Sequence, residues 1–520
     1  MTSLWRDAAA VAANGRPAPN ARVEGPVSPG ERFDVAVVGA GITGLSTALM
    51  LVDAGMRVAV IEGRDVGALA SGRNTGKASV LQGAMLQRIR AGHPAELVRA
   101  YVEANLDGRR WIAGFAQRNG VPASEETAYS YATAPDGLEI VDREYDAASE
   151  AGLPVERVDE LPVPFPFAGA VALPAQLGLD PYRLLVAMAR AYVAAGGVLL
   201  EGMRVQGVHA GRPVELRTPQ GVVRADAAVI ATGHPILNRG LYFAKLRPSR
   251  SYLTTYRGGA PLPGGLFISV DGDTRSLRMV PDVDAAAPPL LMVGGNHHPP
   301  GRVPSTEAKV QDLVDWTGRH FPGAGLTHRW AAQDYHSANM IPFVGWMPRG
   351  FGRVWVATGY AKWGLTNGAA AGIRISEEIL GVPWNERRPW IRVLATRTTT
   401  PADLGRGAAE GAQVGRWIAV GWAGAETRRR RTPADRPAEG QGIVVARHGV
   451  PYGVSTVDGS TCAVRAVCTH LGGVLQWNDA ERTWDCPLHG SRFEASGARI
   501  EGPAVHDLAE EPRVPRRPVE

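Results

Sequence analysis

Four residues near the C-terminus carry the most definite chemistry in this 520-residue chain: Cys468, His470, Cys486 and His489. One residue separates the first pair, two separate the second, and fifteen lie between the pairs. Two thiols and two imidazoles on two short loops form a metal donor set. Zinc takes such a set, but zinc fingers usually place two or more residues between paired ligands. A second constellation lies at the other end. Gly39, Gly41 and Gly44 follow a short apolar run in G-x-G-x-x-G spacing, and Glu62 stands about twenty residues on. Gly39 permits a tight turn, Gly41 lets backbone N–H groups approach a pyrophosphate, and Gly44 lets a helix pack close to a strand. Glu62 can hydrogen-bond a ribose hydroxyl. This is an adenine-dinucleotide site, open at this point to FAD or NAD.

The elements that hold these residues are read outward from them. The spacing predicts a strand over 35–38, a helix over 42–55 and a strand over 58–61. The helix N-terminus offers free N–H groups to phosphates. The small-residue loop 63–83, with Ser71, Thr75, Gly76 and Lys77, can wrap a cofactor with backbone donors. Helices are expected at 95–120 and 140–152, and a strand at 126–134 with Tyr129 and Tyr131 on one face. Asp180 and Pro181 supply an N-cap and first turn for a helix to about 195. Residues 198–208 read as strands, 214–223 as a hairpin, and 227–233 as a buried strand ending at Thr232-Gly233. Antiparallel sheet is expected over 241–300, a helix over 305–320 and a strand over 353–358. Gly359 to Gly364 form a second glycine turn, opening a helix from Thr366 to 379. From 440 onward short strands and frequent turns describe a small all-β domain. At that size a core alone is marginal without a metal or other staple.

The bulk properties set limits. Hydrophobic residues make up 45%, charged residues 21%, and the net charge is +5. The basic cluster Arg428–Arg431 lies in a Pro- and Ala-rich stretch and reads as a solvated linker, so no nucleic-acid partner is expected. The three cysteines, Cys462, Cys468 and Cys486, argue against a disulfide framework and for a reducing compartment. No run approaches the ~18 apolar residues of a membrane span, and the first twenty residues lack a signal-peptide pattern. A cytoplasmic protein with no membrane span is expected. Cys462 reads as a buried strand residue.

The pattern C-x-H…C-x-x-H, with Leu471-Gly472 after the first pair and Gly490-Ser491 after the second, resembles the Rieske [2Fe–2S] domain. The resemblance extends along the chain through VVGAGITGL, SGRNTGKAS, RWAAQDYHSANMIPFVG, ATGYAKWGLTNG, CTHLGG and WDCPLHGSRF. In that order they are similar to FAD-dependent oxidoreductases of the D-amino-acid oxidase superfamily fused to a C-terminal Rieske domain. The implied fold is an α/β FAD-binding Rossmann-like domain with an antiparallel-sheet substrate domain, plus a small all-β Rieske domain. The implied division is an extended arm over 1–32, an oxidoreductase domain over 33–395, a connector over 396–437 and the Rieske domain over 438–520. Within 33–395, FAD-binding parts are expected at 33–95, 153–240 and 330–395, and substrate-side parts at 96–152 and 241–329.

By the same resemblance, Cys468 and Cys486 bind one iron and His470 and His489 the other. FAD meets Gly39, Gly41, Gly44, Glu62, Ser71, Thr75, Gly76, Val205, Thr232, Gly233, Gly359, Gly364 and Thr366. With no cysteine before Cys462 and no histidine in 69–79, the FAD is expected to be non-covalent. Respiratory Rieske domains carry a disulfide where Gly473 and Leu488 stand here, and a tyrosine where Phe493 stands, while Ser491 is retained. Fewer hydrogen bonds to sulfur imply a lower potential. The implied activity is dehydrogenation of a small amine or amino acid at FAD, with single electrons passed to the cluster and then to an external protein or quinone. The alternative is a flavo-iron–sulfur protein relaying electrons between partners. Lys77 and Lys362 are candidates for catalytic residues beside the flavin, with His297, His298, Tyr252 and His336 as further substrate-side candidates.

Overall fold

The computed structural model describes residues 1, 3–12, 31–260, 262–282, 286–396, 401–427 and 436–510. A strand over Arg32–Val38 lies between two parallel neighbours, Val58–Ile61 and Gly221–Ile230. Val198–Leu200 and Val354–Thr358 extend this sheet in parallel at either side. Strands buried on both faces need unbroken apolar runs, which explains Val-Ala-Val-Val and Val-Ala-Val-Ile. Helices Ile42–Asp53 and Gly364–Ile379 press together on the sheet through glycines. A Cβ at Gly368 would come within 2.7 Å of Ile42, and one at Gly372 within 2.4 Å of Ser46.

The hairpin expected at 214–223 and the strand expected at 227–233 share one continuous strand, Gly221–Ile230. Its first half pairs with Val214–Thr218. Of 198–208, only Val198–Leu200 and Gly207–His209 are strands.

The second sheet has nine strands, mostly antiparallel. Leu246–Arg257, Leu290–His298 and Gly325–Ser337 form its long side, and Lys77–Ala78 its far edge. Two expected boundaries change. Strand Gly169–Leu179 lies in a stretch assigned to FAD binding but belongs to this sheet. Helix Ala95–Arg118, assigned to the substrate side, packs on Gly364–Ile379. There Gly108 sits so close that a Cβ would lie 2.1 Å from the Thr366 carbonyl oxygen. Tyr129 stacks on Phe267 at 4.8 Å, and Tyr131 packs on Phe165 and Phe167; both serve the core.

The N-terminal segment does not begin as an extended arm. Leu4–Ala12 is a helix. Its Leu4-Trp5 pair is buried against Leu253, Val280, Met292 and Trp330, and Trp5 Nε1 donates to the Asn74 carbonyl at 2.8 Å. Two large apolar side chains outweigh the Ala- and Pro-rich composition around them.

Helix Pro389–Thr396 closes the oxidoreductase segment, and the connector contains helix Pro401–Thr427. Trp417 and Trp422 of the second pack on the small C-terminal domain. Arg428–Arg431 lie outside the described residues. The small domain stacks a three-stranded sheet, Gly442–Arg447, Val450–Val457 and Ser460–Arg465, on a four-stranded one running from Gln476–Asn478 to Arg499–Glu501. Cys462 lies on a strand and is half-buried rather than buried.

A buried polar interface joins this domain to the rest of the chain. Arg250 forms a bidentate ion pair with Glu481. Glu481 also meets Arg492 at 3.2 Å, and Asp479 accepts from the Thr306 N–H at 2.8 Å. Burial would raise the Glu481 pKa, but Arg250 and Arg492 pull it down to about 2. Among the described residues no helix is long and apolar enough to cross a membrane.

Candidate cofactor sites

A long cavity runs along the C-terminal ends of the parallel strands, where open α/β sheets bind ligands. Gly39 turns with φ +107°, and a Cβ there would lie 2.6 Å from the Ala231 carbonyl oxygen. Gly41 lines the cavity; a Cβ there would meet Ser71 Oγ at 2.8 Å. Gly44 does not line it. A Cβ at Gly44 would sit 1.9 Å from the Gly39 carbonyl oxygen, so this glycine sets helix–strand packing. Ser71 Oγ accepts the Ile42 N–H at 3.1 Å at the helix start. Glu62 lines the cavity and braces the glycine turn, accepting N–H bonds from Ala40 at 2.8 Å and Arg64 at 2.9 Å. Burial raises its pKa against those two bonds.

Thr75, Val205, Thr232, Gly233, Gly359 and Gly364 also line the cavity. Besides Gly44, two expected residues do not. Gly76 faces away, its carbonyl accepting from Arg278 at 2.8 Å. Thr366 lies within the helix, its hydroxyl donating to Asn105 Oδ1 at 2.6 Å. The helix starts at Gly364, so Gly364 and Leu365 present its N-terminus instead. Such a glycine-walled cradle, with the Glu62 carboxylate in its lining, fits a flavin adenine dinucleotide.

Lys77 and Lys362 both line the cavity. Lys77 Nζ donates to the Phe267 carbonyl and to Ser276 Oγ, each at 2.7 Å. Burial, reinforced by Arg278, holds its pKa well below the ordinary lysine value. Lys362 sits in left-handed backbone at φ +76°, after Ala361 at φ +50°. Burial lowers its pKa too, against the pull of Asp334. Tyr252 lines the cavity, and its hydroxyl lies 3.2 Å from His298 Nε2. His297, His298 and His336 do not line it. His297 is pushed down to about 4, first by Lys362 and then by burial, and His336 pairs with the cavity residue Asp334 at 3.0 Å. The wall toward the substrate side comes from 251–253, 268–276 and 294–295; no residue of 96–152 contributes.

In the small domain the two loops bring the four expected ligands together in two pairs. Cys468 and Cys486 are buried within hydrogen-bonding reach of each other. Cys468 is pulled toward thiolate by Cys486, by the His470 and Leu471 N–H groups and by the Ser491 hydroxyl, while Cys486 is pushed up by the same contact and by burial. The His470 and His489 rings stand 5.1 Å apart. Both ring nitrogens of buried His489 lack a hydrogen-bond partner, a costly arrangement unless a metal takes one. Burial lowers His489 to about 3 and His470 to about 4, so both are neutral, the form that ligates. Among the described residues no three such side chains gather around one point as for a single ion. A thiol pair facing an imidazole pair fits a two-iron cluster. Leu488 fills the space over Gly473, where a Cβ would come within 2.6 Å of it, and Phe493 is fully buried.

Sequence reasoning missed how closely the two sites meet. Arg499, Ile500, Glu501 and Gly502 of the small domain line the dinucleotide cavity. His234, directly after the cavity residue Gly233, lies 6.4 Å from the His489 ring, and Phe243 lies 5.5 Å from it. Asn238 Oδ1 lies 2.9 Å from His470 Nε2. The cavity residue Gln333 donates to the Gly490 carbonyl at 2.8 Å, one residue beyond His489. The only sequence signal was His234 itself, a titratable group placed directly after a nucleotide-binding turn.

This geometry defines a flavin oxidoreductase joined to an iron–sulfur domain, and comparison with known proteins agrees. Residues 34–378 match the FAD dependent oxidoreductase family, and residues 418–512 match the Rieske [2Fe-2S] domain. The chain belongs to the FAD dependent oxidoreductase family and carries a C-terminal Rieske domain; it binds FAD and a [2Fe–2S] cluster. It is 26% identical over 481 residues to YhfW of Bacillus subtilis, named as a Rieske 2Fe-2S iron-sulfur protein, covering 91% of this chain and 92% of that one. Glycine oxidase from Geobacillus kaustophilus has a similar fold, with TM-score 0.56 and 21% identity over 69% of this chain and 96% of that one. L-amino acid deaminase from Proteus vulgaris gives TM-score 0.58 and 15% identity, over 72% and 99% respectively.

Proposed function

We propose that this protein is a dehydrogenase that oxidises a small amine or amino acid at FAD and passes the electrons within the same chain to the Rieske cluster. When bound, FAD supplies a two-electron acceptor for an activated C–H bond beside nitrogen, and the cluster supplies a one-electron carrier. The observation that carries this reading is the Gln333 bond. One side chain both lines the dinucleotide cavity and holds the peptide next to His489. Short bonded paths of this kind suit electron transfer, and a plain oxidase would have no need of them.

Lys77 is suited to proton handling. A neutral amine at its Nζ spends two hydrogens on Phe267 O and Ser276 Oγ and keeps a lone pair. That lone pair can take a proton from an ammonium substrate, leaving the neutral amine that oxidation requires. The cavity wall from 251–253, 268–276 and 294–295 gives a substrate somewhere to sit, which favours this reading over a relay without its own substrate. Absence of His and Cys from the lining residues supports dissociable FAD, and the lack of disulfides among the described cysteines supports work in the cytoplasm.

The test is anaerobic mixing of the holoprotein with a panel of amines and amino acids. A substrate bleaches the flavin absorbance, and the EPR signal of the reduced cluster follows with a delay. Gln333→Leu lengthens the delay without changing bleaching. If no amine or amino acid bleaches the flavin while a reduced protein partner does, the relay reading replaces this one.

A further inference from the structure

We infer that the surface around His470 is the docking site for an acidic one-electron carrier protein. The inference rests on the reading that electrons leave through the cluster, and it identifies where they leave and to what. The two imidazole ligands differ in access. His489 is buried beneath Phe243 and His234, whereas His470 is half-exposed. Beside His470, Leu471 is 41% exposed. The flavin domain supplies the remaining surface through a turn over residues 238–245. Asn238 holds His470 Nε2, and the Phe243 ring lies 5.9 Å from the His470 ring.

That turn is locked to a neighbouring one. Arg239 Nη1 donates to the Arg349 carbonyl at 3.2 Å, and Pro348 packs on Gly240 so closely that a Cβ there would lie 3.0 Å away. The two turns present Leu241, 53% exposed, and Phe351, 74% exposed. Both residues hold left-handed backbone, at φ +53° and +49°. Large apolar residues adopt that conformation at a cost, and such strain concentrates at functional sites. Neither side chain repays the cost by entering a core. Apolar side chains exposed on two linked turns, one of which carries the Asn238 and Phe243 contacts to His470, mark an interaction surface.

The charge around it is predominantly basic, with Glu410 opposite Arg247 at 3.8 Å as its acidic exception. Segments 239–250 and 345–353 carry Arg239, Lys245, Arg247, Arg250, Arg349 and Arg353, and no Asp or Glu; of these Arg250 is buried against Glu481. The Arg239 guanidinium bonds only to the carbonyls of Val208 and Arg349, which leave its charge uncompensated by an acid in those contacts. Lys245 and Arg349 are exposed. A basic rim around a small apolar centre steers an acidic partner into brief encounters. A small quinone would need a pocket opening on an imidazole, and here Asn238 caps the exposed one. Each encounter moves one electron to the carrier and makes or breaks no bond. Two encounters therefore discharge the pair released by one substrate oxidation.

The test uses the holoprotein with its cluster reduced by dithionite, freed of excess reductant and mixed by stopped flow with three oxidants. These are plastocyanin as the acidic carrier, mitochondrial cytochrome c as a basic one, and a water-soluble ubiquinone analogue. At low ionic strength plastocyanin is reduced at least tenfold faster than cytochrome c, and added salt removes the advantage. The pair Lys245→Glu with Arg349→Glu, and separately the pair Leu241→Ser with Phe351→Ser, each slow plastocyanin reduction tenfold or more. The cluster EPR spectrum is unchanged in both. Cytochrome c reacting as fast as plastocyanin, or variants that leave the plastocyanin rate unchanged, overturns the proposal. So does a quinone outpacing both proteins. Because dithionite loads the cluster directly, these results stand apart from the flavin-to-cluster relay, which is read in the substrate-bleaching experiment.

Discussion

The two cofactor sites are built on opposite plans. The cluster site is local: four ligands within twenty-two residues, on two loops of one small domain. The flavin site is distributed, with walls drawn from residues 38 to 502 and made largely of backbone and small side chains. A local site is specified by what its residues donate. A distributed site is specified by what its residues leave out, since Gly39, Gly41 and Gly44 act through missing Cβ atoms. Loss of a single residue should therefore empty the first site cleanly, whereas damage to the second should spread through the fold.

Cys468→Ser tests the local plan most severely. It should abolish iron and acid-labile sulfide binding while leaving FAD at full occupancy, measured by metal analysis and flavin absorbance on the same sample. Loss of both cofactors would show that the sites are not separable. Gly44→Ala is the matching test of the distributed plan. Its Cβ would meet the Gly39 carbonyl oxygen at 1.9 Å, so the strand–helix unit must shift. Flavin occupancy should fall sharply and the melting temperature with it, while an intact Rieske EPR signal persists in the folded fraction.

Arg250→Ala probes the seam between the sites. It leaves Glu481 buried with one partner fewer, a loss of about 3–5 kcal/mol for pairs of this kind. The pH dependence follows from the depressed Glu481 pKa. Its contribution is complete above the ordinary value of 4.5 and is lost as pH falls toward about 2. Calorimetry should show wild-type stability declining across that window, and the variant's decline should end at a higher pH with a smaller total drop.

Phe493→Tyr is the finest adjustment. Phe493 is fully buried beside the cluster loops, and an added hydroxyl supplies a hydrogen bond toward sulfur, which raises the midpoint potential. Potentiometric titration should place the wild type below respiratory Rieske centres and the variant above the wild type. An unchanged midpoint would mean that the hydroxyl finds no sulfur.

The contrast explains what could be read from the residues alone. Cys468-x-His470 and Cys486-x-x-His489 were legible because ligand chemistry and spacing are written in consecutive positions. Gly39 to Glu62 was legible for the same reason, as one strand–turn–helix–strand unit. Thr366 was misplaced because the glycine turn gives no sign of where its helix begins, and the helix starts two residues earlier. The arm was misread because Leu4-Trp5 is too short to show periodicity, although it docks like a core pair. Asn238, Phe243 and Gln333 were invisible. Each reaches the cluster domain through a partner more than 150 residues away, which local spacing does not reveal.

Arg499 to Gly502 form one wall of the dinucleotide cavity, although they belong to the other domain. An FAD reaching that wall would touch both halves of the molecule, and flavin binding and domain docking would then be linked equilibria. Whatever factor the docked domain adds to flavin affinity, bound flavin returns to the docking equilibrium in equal measure.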